Sequence, residues 1–180
     1  MKLDQDIQEV LISREQLQAR IEEMAEEINR DYAGKSPLLI GILRGSYIFM
    51  ADLVRQLDLP ITMDFMVVSS YGAGTTSTGL VNIKKDLEEK IEGKDVIIVE
   101  DILDTGNTLV KLTAELLRRN PASLKLCVML DKPERRTTPI KADYVGFSIP
   151  DAYVVGCGLD FDQQYRQLPY IGILKPSVYA

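Results

Sequence analysis

Short apolar segments alternate with helical segments along the chain, and this alternation limits the fold more than any other feature. Apolar runs of strand length predict strands at residues 37–43, 61–69, 80–84, 94–99, 123–130 and 142–147. Apolar residues at helical spacing predict helices at 13–32, 47–57 and 108–119, the first capped by Ser13 and stopped by Gly34. Strands separated by helices pair in parallel and are covered on both faces. The sequence therefore predicts an α/β fold, a doubly wound, mainly parallel sheet in one domain of 180 residues.

Sheets of this kind bind ligands beyond the carboxyl ends of their strands. Four segments follow predicted strands: Arg44-Gly45, Ser70-Tyr71, Glu100 to Thr108, and Asp131-Lys132. The carboxyl ends of parallel strands meet at one edge of a sheet. The sequence thus predicts a functional site built from these segments.

The stretch VIIVEDILDTGNTL, residues 96–109, places three acids between a buried strand and a Thr-Gly-Asn-Thr turn. Glu100 and Asp101 are adjacent at the predicted strand end, so their side chains leave opposite faces and suit sugar hydroxyls or a hydrated magnesium ion. Backbone amides, two hydroxyls and the helix dipole make the turn a candidate anion site. An ordinary turn with Asp104 or Thr105 as the helix N-cap is the alternative. The sequence lacks GxxxxGK[ST] and GxGxxG patterns, which disfavours a P-loop ATPase and a Rossmann nucleotide site.

The chain contains no histidine, which excludes Ser-His-Asp and Cys-His catalysis and the common zinc sites. Acid–base chemistry would fall to Asp, Glu, Lys or Tyr, and a metal held by oxygen suits Mg²⁺. A net charge of −6 argues against a general nucleic-acid or anionic-membrane binder. A local basic patch stays open at the arginines 118, 119, 135 and 136.

The first residues do not have the pattern of a signal peptide, and no apolar run approaches the length of a membrane span. Cys127 lies in the apolar run LCVML and Cys157 between two glycines, so both are predicted to be buried and free. These features favour a cytoplasmic, reducing location.

Residues 96–109 resemble the phosphoribosyl-pyrophosphate (PRPP) motif of the type I phosphoribosyltransferases. Five further stretches resemble the bacterial hypoxanthine-using branch of that family over nearly the whole chain: LRGS at 43–46, SSYG at 69–72, LDKPERR at 130–136, GFSIPDAYVVGCGLD at 146–160 and YRQLPYIG at 165–172. The resemblance implies the type I phosphoribosyltransferase fold. Its core would span about 36–145, with a small hood subdomain from about 1–14 and 146–180.

The resemblance implies roles for the PRPP motif. Glu100 and Asp101 would hold the ribose hydroxyls, partly through Mg²⁺. Asp104 would lie beside purine N7 and act as the general base when N9 attacks C1′, with its pKa raised in a closed, dry site. The 5′-phosphate would be wrapped by the residues that follow the strand: Asp104, Thr105, Gly106, Asn107, Thr108 and Leu109.

Pyrophosphate would be bound by Arg166 and by the loop Leu43-Arg44-Gly45, in which the family's peptide before the middle residue can be cis. On pattern alone, this loop is also typical of a plain strand–helix turn, and Arg166 of an exposed charge. Ser70 and Tyr71 would form the tip of a mobile lid that excludes water during catalysis. The glycine- and serine-rich residues 72–79 are also typical of a plain flexible loop.

For the base, the resemblance implies that Lys132 donates to purine O6 and that Tyr153 stacks on the ring. Val154 would pair with the base edge by its backbone, and Asp160 would lie near purine C2 and a second Mg²⁺. From the residues alone, a solvated Asp-Lys-Pro turn, a core tyrosine and an exposed aspartate are the alternatives.

The implied activity is Mg²⁺-dependent transfer of phosphoribosyl from PRPP to N9 of hypoxanthine or guanine, giving IMP or GMP and pyrophosphate in purine salvage. The enzyme would be a homodimer or homotetramer that binds neither nucleic acid nor membrane. One rival is a nucleic-acid-binding regulator that keeps the fold, which the acidic charge and the lack of an appended DNA-binding helix pair disfavour. Adenine- or pyrimidine-specific relatives are the other rival, disfavoured by Lys132 and the segment from Tyr153. The order of preference among hypoxanthine, guanine and xanthine stays open.

Overall fold

A computed structural model of the chain describes residues 2–69 and 82–179 and contains two sheets. The larger sheet has six strands: β2 (Leu38–Leu43), β3 (Thr62–Ser69), β4 (Asn82–Lys85), β5 (Asp95–Leu103), β6 (Ser123–Asp131) and β7 (Tyr144–Ser148). Their spatial order is β4-β3-β2-β5-β6-β7, and every neighbouring pair is parallel except β3 with β4. The prediction of a mainly parallel α/β sheet is confirmed.

Helices cover both faces of this sheet: α1 (Arg14–Asp31), α2 (Tyr47–Val54) and α3 (Asn107–Leu117). Alternate residues of β5 separate the two apolar clusters that result. Ile97 and Val99 pack with α1 and α2, whereas Val96 and Ile98 pack with α3. Because both faces are buried, the central strands are apolar throughout, and this is why the sequence shows them so clearly.

Helix boundaries follow local chemistry. Ser13 caps α1 in a capping box: its Oγ accepts from Gln16 N, and Gln16 Oε1 accepts from Ser13 N. The predicted Ser13 cap is confirmed, and the helix ends at Asp31, before the predicted stop at Gly34. α2 ends at Val54 rather than residue 57, and α3 spans 107–117 rather than 108–119.

Strand β5 is longer than predicted, because it continues from Val99 to Leu103. Its parallel pairing with β6 carries on past the apolar run, with Glu100 opposite Val128 and Leu103 opposite Asp131. The expectation that the acids lie at a strand end is therefore wrong. They lie inside the strand, three and two residues before its last residue, Leu103.

The two ends of the chain form a second, three-stranded antiparallel sheet from β1 (Ile7–Ile12), β8 (Val154–Val155) and β9 (Ile171–Leu174), in the order β1-β9-β8. Short helical turns flank it at Lys2–Asp6 and at α4 (Pro176–Tyr179). Cys127 and Cys157 are buried and unbonded, as predicted. Within residues 2–69 and 82–179, no helix has the length and apolar character needed to cross a bilayer.

Candidate active site

Two cavities lie beyond the carboxyl ends of the large sheet's strands. The first, of about 360 Å³, is lined by the ends of β2, β3 and β5 and by the turn into α3. The second, of about 480 Å³, lies between the turn after β6 and the small sheet. Ile102 and Asp104 line both cavities. Three of the four predicted ligand segments thus contribute to one composite site, and Ser70-Tyr71, the predicted lid tip, lies outside the described residues.

The acidic pair on β5 faces the first cavity in an unfavourable environment. Burial, together with the neighbouring Asp101 charge, raises the pKa of Glu100 well above its ordinary value. Burial raises the pKa of Asp101 to about 6. Glu100 Oε2 is buried without a hydrogen-bond partner in the described part of the chain. Such oxygens are poised to accept from a ligand hydroxyl or to bind a cation.

The loop after β2 presents its backbone to this pair. Gly45 leaves room for Asp101, since a Cβ at Gly45 would lie 1.5 Å from Asp101 Oδ2. The peptide that joins Leu43 and Arg44 is cis. All three residues of the predicted pyrophosphate loop, Leu43, Arg44 and Gly45, line the first cavity.

The turn into α3 forms the opposite wall of the first cavity, through residues 104–109. Gly106 is the N-cap of α3 in a left-handed conformation, with φ of 84°, and no side chain caps the helix. A Cβ at Gly106 would also lie 2.3 Å from Thr138 Oγ1. Neither Asp104 nor Thr105 is the N-cap residue, so that alternative is wrong, although Thr105 Oγ1 accepts a long hydrogen bond of 3.4 Å from Asn107 N. The helix N-terminus stays open for an anion.

Lys132 and Tyr153 face the second cavity. Lys132 is only 7% exposed, so it does not belong to a solvated turn, and its Nζ donates to the Ala152 carbonyl at 2.6 Å. Burial lowers the pKa of Lys132, against the opposing attraction of Asp104 and Asp151. Tyr153 is 42% exposed and is not a core aromatic. Both alternatives for these residues fail.

Asp104 stands between the two cavities and contacts a residue that sequence reasoning missed. Arg135 Nε lies 3.1 Å from Asp104 Oδ1, and Arg135 Nη1 lies 3.5 Å from Asp151 Oδ1. The contact with Asp104 is an ion pair rather than a hydrogen bond, because Oδ1 has no hydrogen-bond partner. The stretch LDKPERR places Arg135 close to Lys132 in the sequence, but nothing in the sequence indicates its contact with Asp104.

Arg136 supports the turn between β5 and α3 through hydrogen bonds to its backbone. Its guanidinium donates to the carbonyls of Leu103, Asp104 and Ile140 and pairs with Asp131. The basic patch that the sequence left open finds no support, because the other two arginines are also paired with acids, Arg118 with Glu115 and Arg119 with Glu115 and Asp86. Each of the four arginines has an acidic partner.

Asp160 and Arg166 are partners, with Arg166 Nη2 2.8 Å from Asp160 Oδ1. Asp160 and Val154 line the second cavity, whereas Arg166 lines neither cavity. Beyond the dominant effect of burial, the Arg166 charge lowers the pKa of Asp101 and the Asp160 charge raises it. The pair therefore lies close enough to influence the acids of the first cavity.

Comparison with known proteins identifies this site's family. A sequence profile described as "Phosphoribosyl transferase domain" matches residues 13–162. The chain belongs to the phosphoribosyltransferase family. It is 51% identical over 174 residues to the hypoxanthine-guanine phosphoribosyltransferase of Bacillus subtilis, covering 97% of each chain. It is 48% identical over 177 residues to that of Streptococcus thermophilus, covering 98% of each.

Solved phosphoribosyltransferases have the same architecture. The hypoxanthine phosphoribosyltransferase of Staphylococcus aureus superposes with a TM-score of 0.96 at 49% identity, covering all of this chain and 98% of that one. The resemblance to bacterial members of the family, the fold and the enzyme class, a transferase, are confirmed.

The acids of the first cavity could hold a divalent cation together with substrate and water, although the described residues alone do not offer a complete set of ligands. Among residues 2–69 and 82–179, no three His, Cys, Asp or Glu side chains are grouped as a complete metal site. Glu100 and Asp101 offer oxygen donors, one of them buried and unpartnered. Mg²⁺ characteristically takes one or two carboxylates and completes its shell with substrate and water oxygens. The residues present fit that pattern.

Proposed function

We propose that this phosphoribosyltransferase transfers phosphoribosyl from PRPP to N9 of hypoxanthine or guanine, giving IMP or GMP and pyrophosphate in purine salvage. The N9–C1′ bond forms, the bond from C1′ to the pyrophosphate oxygen breaks, and the proton of the base goes to Asp104. The relatives named above, at about half identity over the full chain, support this choice of base.

The observation that carries the proposal is the meeting of two chemically different cavities at Asp104. One offers carboxylates and an open helix N-terminus, which suit a sugar phosphate. The other offers a buried lysine and an exposed aromatic face, which suit a flat base with a carbonyl. A glycosidic bond made between them would form beside Asp104, within reach of a proton acceptor.

In the first cavity, Glu100 and Asp101 hold the ribose hydroxyls. Amides and hydroxyls of residues 105–109 hold the 5′-phosphate at the start of α3. The loop 43–45 faces the leaving pyrophosphate. Arg166, which lines neither cavity but is near enough for its charge to lower the pKa of Asp101, contributes positive charge to the same region. Mg²⁺, when bound at the two acids, would supply positive charge against the pyrophosphate. Asp160 lines the second cavity, where it would lie near C2 of the base and could hold a second Mg²⁺.

In the second cavity, Lys132 donates to O6 of the base, a contact that adenine, with an amino group there, does not accept. Tyr153 stacks on the ring, and the backbone of Val154 meets the base edge. These groups select a 6-oxopurine.

Incubation of the protein with PRPP, Mg²⁺ and one base at a time tests the proposal, with nucleotides separated by chromatography. We expect IMP and GMP from hypoxanthine and guanine, and no AMP from adenine. Omission of Mg²⁺, with a chelator present, should abolish product. Turnover of adenine alone, or of no base, would overturn the assignment.

The role of Asp104 is tested by Asp104→Asn, because an amide keeps the shape of the side chain but does not accept the proton. We expect kcat to fall by about 10²- to 10⁴-fold, the usual worth of general acid–base catalysis. IMP affinity, measured by calorimetry, should stay within a few-fold. Near-normal turnover would remove Asp104 from the chemical step.

A further inference from the structure

The C-terminal segment runs beside the second cavity. Leu174 N donates to the Tyr153 carbonyl at 2.8 Å, so the chain leaves β9 next to the tyrosine proposed to stack on the base. Lys175 N then donates to the Asp6 carbonyl at 2.9 Å, which ties the start of the segment to the N-terminal end. α4 follows, and its last residue, Tyr179, lines the second cavity.

Tyr179 is stacked on Tyr153. The ring centroids lie 5.0 Å apart and the planes differ by 22°. Phe161 meets both rings edge-on, at 5.6 Å from Tyr153 and 6.5 Å from Tyr179. Offset stacking with edge-on support is the favoured geometry of aromatic groups. The three rings therefore fix the orientation of Tyr153.

This arrangement is not part of a buried core. Tyr153 and Tyr179 are each 42% exposed. Together they present flat aromatic surface in a cavity that also holds Asp104 and Lys132. The cavity keeps a volume of about 480 Å³ with Tyr179 in place, within the range of small-ligand pockets. Tyr179 is a wall of the cavity and does not fill it.

We infer that Tyr179 is a base-positioning residue, which holds the Tyr153 ring in the plane that the purine needs. This inference rests on the proposed function and extends it to the last turn of the chain. Tyr179 acts through Tyr153, so its loss reduces the binding of the base rather than the chemical step. The base would then be held less firmly between Asp104 and Lys132.

Two substitutions separate stacking from simple apolar packing. Tyr179→Leu keeps an apolar side chain and removes the flat ring, whereas Tyr179→Phe keeps the ring. We expect Tyr179→Leu to raise the KM for hypoxanthine about 2- to 12-fold, the worth of one aromatic stack. In Tyr179→Leu, the KM for PRPP and kcat should stay within about twofold of the wild-type values. Tyr179→Phe should retain the wild-type KM for the base.

Leu117→Ala is the matched control, since Leu117 is also large, apolar and exposed but lies at the end of α3 away from both cavities. An unchanged KM for hypoxanthine in Tyr179→Leu would overturn the inference. A lowered KM would also overturn it, because Tyr179 would then compete with the base. An equal rise in the KM for PRPP would indicate general loosening and count against it.

Direct binding gives a readout that does not need turnover. The chain has no tryptophan, so Tyr179→Trp introduces a single indole at the proposed wall. Titration with IMP should change its fluorescence, whereas ribose 5-phosphate, which lacks the base, should not. If the variant is active but its indole fluorescence does not change with IMP, the inference about Tyr179 is overturned and the proposed function is not. Absence of turnover in the wild type with every base would instead overturn the proposed function.

Discussion

At the scale of single residues, Glu100 and Asp101 are acids whose charged forms are unfavourable until a ligand binds. Both residues line the first cavity, and burial raises the pKa of each carboxyl group. A protein gains no stability from this arrangement, because charged acids in such surroundings lack solvent or partners. The arrangement is explained by the hydroxyl groups and cation that the site is proposed to receive.

The stability of the unliganded protein should therefore depend on Asp101 and on pH. The pKa of Asp101 is about 6 in the folded state and 3.8 ordinarily. Below 3.8 the group is neutral in both states and costs nothing. Between pH 3.8 and 6 the unfolded state releases its proton while the folded state keeps it, so the loss of stability builds up over this window. It amounts to about 1–3 kcal/mol above pH 6, where it no longer changes. We expect Asp101→Asn to raise the melting temperature by several degrees near pH 8 and hardly at all near pH 4.

Melting should be followed in a chelator, so that no divalent cation offsets the charge. Asp58→Asn is the matched control, because Asp58 is exposed and lines neither cavity. It should leave melting unchanged at both pH values. An equal shift for Asp101→Asn at low and high pH would show that the effect is packing rather than ionisation.

Individual site residues were predictable where a motif identified them. Asp104 and Lys132 followed from the resemblance, and the structure places both at the second cavity. Arg135 was not predictable as a partner of Asp104, because that contact forms only when the turns after β5 and β6 come together. Tyr179 was missed for the same reason, since its neighbour Tyr153 is 26 residues away in a sequence that shows no pairing signal.

At the scale of elements, the turn between β5 and α3 depends on a brace from another part of the chain. Arg136 donates to three backbone carbonyls around this turn and pairs with Asp131. The planar guanidinium satisfies these acceptors together, whereas a lysine ammonium offers donors from a single point. The geometry of this turn, which is proposed to bind the 5′-phosphate, is thus set by β6 and the residues that follow it.

Arg136→Lys should loosen this turn while keeping the charge. We expect the free energy of unfolding to fall by about 1–3 kcal/mol, from acceptors left unpaired. The KM for PRPP should rise about 3- to 10-fold, because the amides that hold the 5′-phosphate are no longer preorganised. Urea denaturation and initial-rate kinetics measure the two effects.

Arg118→Lys is the control for this substitution. Arg118 is exposed, and among the described contacts its side chain pairs only with Glu115. It should change neither quantity. A loss of stability in Arg136→Lys without any change in the KM for PRPP would assign Arg136 to the fold alone.

Element boundaries were predicted best where local chemistry sets them. The capping box of Ser13 and Gln16 fixes the start of α1. The end of β5 was misplaced because pairing with β6 extends it through polar residues. Strand β1 was not predicted, because half of its residues are exposed and it pairs only with β9, which lies near the other end of the chain.

At the scale of the whole molecule, the composite site joins two sheets of different character. The six-stranded sheet is buried on both faces and supplies the first cavity. The small sheet pairs the two chain ends and supplies Tyr153 and Val154 to the second cavity. Alternation along the sequence predicts the first sheet. The second depends on contacts between distant ends, which no local pattern encodes.

This division predicts that ligands protect the two sheets separately. The two-residue β8 has few backbone pairs, so its amides should exchange with solvent through local opening far faster than those of β5 and β6. Hydrogen exchange measured by mass spectrometry should show that ribose 5-phosphate slows exchange in residues 105–109 and leaves β8 unchanged. IMP, which adds the base, should slow exchange in both places and also in α4. Equal protection of β8 by the two ligands would mean that the small sheet responds to the sugar phosphate. The small sheet would then not form a separate binding site for the base.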